Sequence, residues 1–476
     1  MDTLKFIFIC LEVLVLFNVL IFVHELGHFW AARWRGLKAE RFAIWFGKPI
    51  WSKNINGVEF ALGWIPFGGY VSLPQMAPMD MIEGGTDQPR EPLPQISALD
   101  KIIVAFAGPL FSFLLAVAFA LIVWVTGRPV SESETTTVIG HVLKGGPAEK
   151  AGLQVGDRLL EVDGKPVTKF GGMGNSIMWS IARSEGETIP IKFERAGEVK
   201  SIEVTPIKPP TKMWERRSLR QIQIEPANTP VVGLVFTNSP ADRAGLRRFD
   251  QIIEVNGKKM YHFAQVSQMV AEAPDAPLTL RIRRDTNEFT AQITAEKPLK
   301  PAEEKPMLGL RWADGRKMDL VYPNPVEQIS TAVTTMINTF SALLSRGSEI
   351  GVQHLSGAVK ILNIYYMLFQ SEQGWRLALW FSVVINVNLA ILNMVPLPVL
   401  DGGHIVLAII DSCRRRPVSA KTLQTIQSAC AFLLIGFMLF VTFFDVQELG
   451  GGKGRDKNPP DPQFAPKAAA PATPRP

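Results

Sequence analysis

"LFNVLIFVHELGHFWAARW", residues 16–34, closes an apolar run with two histidines and a glutamate. Read as a helix, it sets His24 and His28 four residues apart on one face, so both imidazoles can reach a single Zn²⁺. Glu25 lies beside them and can take a proton from a water that the metal acidifies. HExxH is thus the pattern of a zinc hydrolase. On a soluble helix the pattern can be a surface coincidence. Inside an apolar span, unpaired ionisable groups are costly, so their presence there argues for function. Two histidines leave a catalytic zinc one protein ligand short. The residues after His28, Phe29-Trp30-Ala31-Ala32, do not continue either soluble zincin pattern, so the third ligand is expected from another apolar segment.

A second stretch supplies a candidate: "VVINVNLAILNMVPLPVLDGGHIVLAII", residues 383–410. Pro396 and Pro398 prevent a regular helix, and the backbone groups they free must face protein or water. Asp401 follows, with Gly402 and Gly403 permitting close backbone approach. A carboxylate at that depth calls for a cation. His404, one helical turn on, competes as a ligand but reads better as a hydrogen-bond partner. Asp411 borders Arg414, Arg415 and Arg416 and reads as an interfacial charge.

The chain has 476 residues and a net charge of +6, without an arginine-rich face interleaved with aromatics, which argues against nucleic acid as a partner. Its three cysteines, Cys10, Cys413 and Cys430, lie in or beside apolar segments, so the soluble middle carries no disulfide framework and no thiolate zinc spacing. Four windows, roughly Phe6–Trp30, Ile102–Val125, Leu377–Val395 and Thr425–Phe444, can each cross about 30 Å of hydrocarbon. The first is not expected to be a cleaved signal peptide. Lys5 is offset by Asp2, and the run leads into HELGH instead of a small-residue cleavage site. Basic residues follow the first window (Arg33, Arg35, Lys38, Arg41, Lys48, Lys53) and separate the last two (Arg414, Arg415, Arg416, Lys421). Both flanks read as cytoplasmic, which puts both termini and residues 130–330 outside.

Within that block, residues 138–170 and 231–263 align without a gap at a period of 93. Asp163-Gly164 and Asn256-Gly257 are hairpin signals between β-rich runs. Phe249 stands where the first copy has Gly156, so that turn is expected to differ. The shared P-A-x-x-A-G-L-x-x-x-D-x-(I/L)-x-x-V-(D/N)-G pattern resembles a circularly permuted bacterial PDZ domain, present as a tandem pair. Such domains either take extended peptides by strand addition or act as a steric filter. Residues 326–346 and 353–370 read as two amphipathic helices too polar to span, lying near the outer surface. Segment 74–97 reads as a flexible loop, and residues 449–476 as a disordered tail.

HELGH in a first span, with N-x-x-P-x-P-x-L-D-G (Asn393 to Gly402) in a later one, resembles the site-2 protease family. The inserted PDZ pair narrows this to RseP-type bacterial members. "GWIPFGGYV" (63–71) is similar to the family's membrane re-entrant β-segment and "AFAGPLFSFLLAVAF" (105–119) to its second core span. The resemblance implies one Zn²⁺ per chain held by His24, His28 and Asp401, with Glu25 as general base. It implies substrate contacts at Asn393, Asn386, Gly68, Gly69, Tyr70 and Val71. The implied activity is hydrolysis within the transmembrane segments of pre-cleaved single-span proteins, such as anti-sigma factors or signal-peptide remnants, in the bacterial inner membrane with the site toward the cytoplasm. Three departures touch other positions. Ser112 replaces a common asparagine, Ala358 a proline, and Trp45-Phe46-Gly47 lacks the first glycine of a G-x-G.

The expected fold is therefore a multi-span α-helical membrane protein with four transmembrane helices and two inserted β-rich PDZ domains on the extracytoplasmic side. Its expected parts are residues 1–128 (catalytic membrane half), 129–225 and 226–322 (PDZ domains), 323–372 (juxtamembrane helices), 373–446 (second membrane half) and 447–476 (tail). The competing readings are a catalytically silent PDZ adaptor or chaperone, which the complete HExxH and LDG sets disfavour, and a broken-helix transporter, which the lack of an inverted repeat disfavours.

Overall fold

The computed structural model describes residues 3–76, 96–212, 215–300, 305–313, 319–371, 373–414, 420–451 and 461–466. Most of the loop expected over 74–97 lies outside these residues. The chain divides into two compact units. One is built from residues 1–129, 321–340 and 352–447, the other from 130–320, 341–351 and 448–476.

The first unit is helical apart from one β-element. Among its described residues, α1 (Thr3–Trp34), α2 (Ala98–Thr126), α3 (Pro325–Leu344), α4 (Ala358–Phe369), α5 (Gly374–Asn393), α6 (Asp401–Arg414) and α7 (Ala420–Gly451) follow in chain order, with α3 running into the second unit. Helices α1, α2, α5 and α7 are long and apolar enough to span a bilayer, as the four windows predict. Their outward residues are large and apolar, for example Phe432 and Leu433 on α7, as lipid-facing positions should be.

Small residues let these helices approach closely. Ala105, Gly108, Ser112, Ala116 and Ala120 form a buried stripe along α2. A methyl group added at Gly27 of α1 would stand 2.4 Å from the Ala107 carbonyl oxygen, so the α1–α2 seam admits no side chain there. On the α5 side, Ala116 and Ala120 pack with Val383 and Val387. Ser97 and Asp100 start α2 with a reciprocal capping box.

Helix α5 stops at Asn393, ahead of Pro396 and Pro398, and α6 begins at Asp401. The turn between them folds back tightly. A Cβ at Gly402 would lie 2.3 Å from the Met394 oxygen, and one at Gly403 would lie 2.0 Å from that of Leu397. This is the close approach that the paired glycines predict, and it aims Asp401 inward.

Strands β1 (Arg41–Ile55) and β2 (Val58–Ser72) are joined at Asn56-Gly57, both left-handed, and each bends so that the pair makes a sheet of four segments. The central segment 41–44 pairs on one side with 59–62 and on the other with 69–72. Residues 69–72 form one outer edge, with no strand beyond them among the described residues.

The second unit holds two copies of one fold. In the first, strands Arg158–Val162, Ile189–Arg195 and Glu198–Val204 form an antiparallel sheet edged by Lys165–Pro166, while Ile139–Val142 pairs with Ile224–Pro226. In the second, Gln251–Val255, Leu278–Arg284 and Asn287–Ile293, edged by Lys258–Lys259, repeat the order, and Val232–Val235 pairs with Leu310–Trp312. Both Asp163-Gly164 and Asn256-Gly257 are left-handed at both positions, the turn these dipeptides predict. Each copy closes on its own apolar core. Each also buries one aspartate against an arginine fork. Asp157 meets Arg195 at 2.6 and 2.7 Å, and Asp250 meets Arg284 at 2.7 Å through both oxygens.

Two expectations fail here. The turn at Phe249 does not differ from that at Gly156, since both are left-handed (φ 73° and 94°). The surrounding repeat imposes the conformation, and an exposed Phe249 ring stacked under Arg248 accepts it. The tail is not wholly without structure either. Helix α7 reaches Gly451, and residues 461–466 pack on the second copy, where Phe464 is buried.

Candidate metal centre

Helix α1 presents His24 and His28 one turn apart, and α6 presents Asp401 from its first turn. The three side chains meet although 373 residues of sequence separate His28 from Asp401. His24 Nε2 lies 3.4 Å from one Asp401 oxygen and His28 Nε2 lies 3.4 Å from the other. The two Nε2 atoms are 3.3 Å apart. Tetrahedral zinc with bonds of about 2.0–2.1 Å sets its ligand atoms about 3.3–3.4 Å from one another. The donor set, two imidazoles and a carboxylate, therefore fits Zn²⁺ in spacing as well as in chemistry.

The outer ring nitrogens are also held. His28 Nδ1 donates to the Val104 carbonyl at 2.8 Å, which leaves the Nε2 lone pair free. His24 Nδ1 lies 3.0 Å from the buried Ser112 hydroxyl, which accepts from the corresponding tautomer. Such partners fix ring orientation and raise the basicity of the inner nitrogen. Gly108, also on α2, makes room for this arrangement: a Cβ there would fall 2.2 Å from His28 Nε2.

A cavity of about 150 Å³ opens onto the three donors and is lined by Glu25, Val71, Asn393 and His404 as well. Glu25 is next to His24 in sequence and touches β2, where a Cβ on Gly69 would lie 3.1 Å from Glu25 Cγ. Asn393 points its amide at His24 Nε2, 3.5 Å away. His404 lines the cavity without joining the three-donor group. Asp411 pairs with Lys101 at 3.9 Å, in keeping with an interfacial charge.

Other predicted contacts are placed differently. Asn386 is fully buried, donates to the Ser382 carbonyl of its own helix at 2.8 Å, and does not line the cavity. Tyr70 turns away to bond Arg41, and its ring stacks with Phe46. Gly68, left-handed at φ 74°, lies against the same Phe46 ring. Of the β2 set, Gly69 and Val71 reach the centre. Sequence reasoning missed Ser112, Gly108 and the Val104 carbonyl as supports of the histidines. Ser112 had a signal, a polar residue in an apolar span, but nothing that named its partner.

Comparison with known proteins agrees with this geometry. Residues 12–437 match the profile of Peptidase family M50. A putative zinc metalloprotease of Vibrio cholerae is 27% identical across 90% of this chain and 97% of its own length. The regulator of sigma E protease of Haemophilus influenzae and protease RseP of Yersinia pestis are each 27% identical, again across 90% of this chain and 97% of theirs.

Proposed function

The chain belongs to peptidase family M50, and from that premise we propose an intramembrane endopeptidase that cuts the apolar segments of single-span proteins already shortened outside the membrane. It is a zinc metalloprotease of the site-2, RseP type. The observation that carries the proposal is the meeting of two imidazole nitrogens and a carboxylate at tetrahedral spacing, in a cavity shared with Glu25, at the junction of spanning helices.

In this reading His24, His28 and Asp401 hold the metal. Zinc there supplies a Lewis acid that polarises the scissile carbonyl and brings the pKa of water toward about 7. Glu25 accepts the proton of the attacking water and passes it to the leaving amine. The Val104 carbonyl and Ser112 hydroxyl keep both imidazoles turned inward throughout. The Asn393 amide, beside His24, is placed to orient the substrate carbonyl.

A helical substrate must unwind first, because its carbonyls are engaged in its own hydrogen bonds. The open edge at 69–72 supports strand addition as the means, with Gly69 letting the added strand run past Glu25. Gly68 and Tyr70 then act as shape and anchor of that edge, while Asn386 stays within its own helix, bonded to the Ser382 carbonyl. The two β-rich copies are read as PDZ domains on the periplasmic side, where they bar bulky ectodomains. Both termini share that side, in the inner membrane. Anti-sigma factors and signal-peptide remnants are the substrate types this reading favours.

The test is Glu25→Gln in a detergent-purified full chain given a single-span reporter. Cleavage should fall at least about a hundredfold, with zinc still bound near one per chain. Undiminished cutting would remove Glu25 from the mechanism.

A further inference from the structure

Residues 461–466, Asp-Pro-Gln-Phe-Ala-Pro, lie on the second copy in extended form, joined to it by an isolated antiparallel bridge between Gln463 and Lys300. The Leu299 amide donates to the Gln463 carbonyl at 2.6 Å, and the Gln463 amide donates to the Lys300 carbonyl at 2.9 Å. Asp461 pairs with Arg311 at 2.8 Å. Phe464 is 6% exposed, and its ring approaches the point where Gly309 lacks a side chain, against Ser239.

The first copy explains why the notch exists only in the second. The Ala148 amide bonds the Ile222 carbonyl as that of Ala241 bonds Leu308, so Gln223 corresponds to Gly309 and Gly146 to Ser239. Gln223 and Gly309 are both left-handed (φ 61° and 74°). In the first copy the Gln223 side chain folds over Gly146, and its Oε1 lies 2.8 Å from where a Cβ would be. The first copy thus covers this position with its own side chain. In the second, glycine at 309 leaves room that the Ser239 side chain and the edge of the Phe464 ring share, 2.2 and 3.0 Å from where a Cβ would be, so the ring sits in a slot walled by Ser239.

We propose that this slot on the second copy is a recognition site for an extended segment of pattern acidic-x-x-aromatic, and that residues 461–466 are its resident ligand. The backbone pairing at 299–300 sets the strand direction. Gly309 and Ser239 receive the ring, and Arg311 selects the acidic residue three places earlier. An external segment with the same pattern would compete for the slot and displace residues 461–466.

The measurement is independent of proteolysis, so it stands or falls apart from the proposed activity. A fluorescent peptide covering residues 459–467 is titrated into the full chain and into a chain ending at Gly451, both in detergent micelles, and followed by anisotropy. The shortened chain should bind it saturably and at least about tenfold more tightly than the full chain, whose slot is filled. The peptide carrying Phe464→Ala should bind at least about tenfold more weakly than the native one. Equal affinity for both chains, or no saturable binding to the shortened one, overturns the proposal. As a check that needs no truncation, Phe464→Ala in the full chain should abolish amide-exchange protection at 299 and 463 while leaving strand 278–284 protected. Unchanged protection at 299 and 463 would count against the proposal equally.

Discussion

Of the buried aspartates, Asp157 and Asp250, one in each copy of the repeat, and Asp401, among the spanning helices, have surroundings that differ in kind. Asp157 and Asp250 are each gripped by an arginine fork, and each also accepts a backbone amide, from Gln154 or Arg247. Their charge is balanced by a partner that is part of the chain. Asp401 instead faces two imidazole nitrogens whose other ring atoms are already committed. The first arrangement is complete as a piece of architecture, with its cation built in. The second is a set of donors converging on a point, which is how a protein prepares for a cation it does not encode.

Substitutions can break that contrast. Asp401→Ala should bring zinc content from near one per chain to near zero, with loss of proteolysis and little change in the melting of the repeat unit; elemental analysis and calorimetry read the two. Asp250→Ala should do the reverse. Leaving Arg284 without its partner should destabilise the second copy by about 2–4 kcal/mol while zinc stays bound. Ser112→Ala tests whether the support matters as well as the ligand: zinc affinity measured by chelator competition should fall about 10–100-fold, with ligand number unchanged. Phe249→Gly should give the smallest effect and the opposite sign, stabilising the second copy by about 0.5–1 kcal/mol in denaturant melts because the left-handed turn no longer strains a bulky residue.

What could be read from the sequence was whatever a short local pattern carries. HExxH marks two candidate ligands because four residues make one helical turn, and the spans announce themselves by length and apolarity. Asp401 was legible because a carboxylate amid prolines and glycines in an apolar stretch has few explanations. Asn386 and Asn393 show the limit. They lie seven residues apart on α5, yet one amide faces His24 while the other bonds its own helix. That outcome depends on how α5 is rotated against its neighbours. Ser112 and Gly108 stayed hidden for the same reason, since their contacts with His24 and His28 cross 88 and 80 positions of sequence. The docking of Phe464 was hidden because it depends on a difference between two copies, glutamine at 223 and glycine at 309, that has meaning only once both are folded.

The α1–α2 seam has a bearing on traffic. Its closeness at Gly27 and Gly108 is what brings Val104 and Ser112 within reach of the histidines. Were the two helices to part to admit a substrate, both imidazoles would lose their outer anchors in the same movement, and the donor triangle would loosen just as cargo arrived. In the proposed mechanism that wall stays shut during turnover, and the substrate enters from the flank where segment 69–72 leaves its edge open.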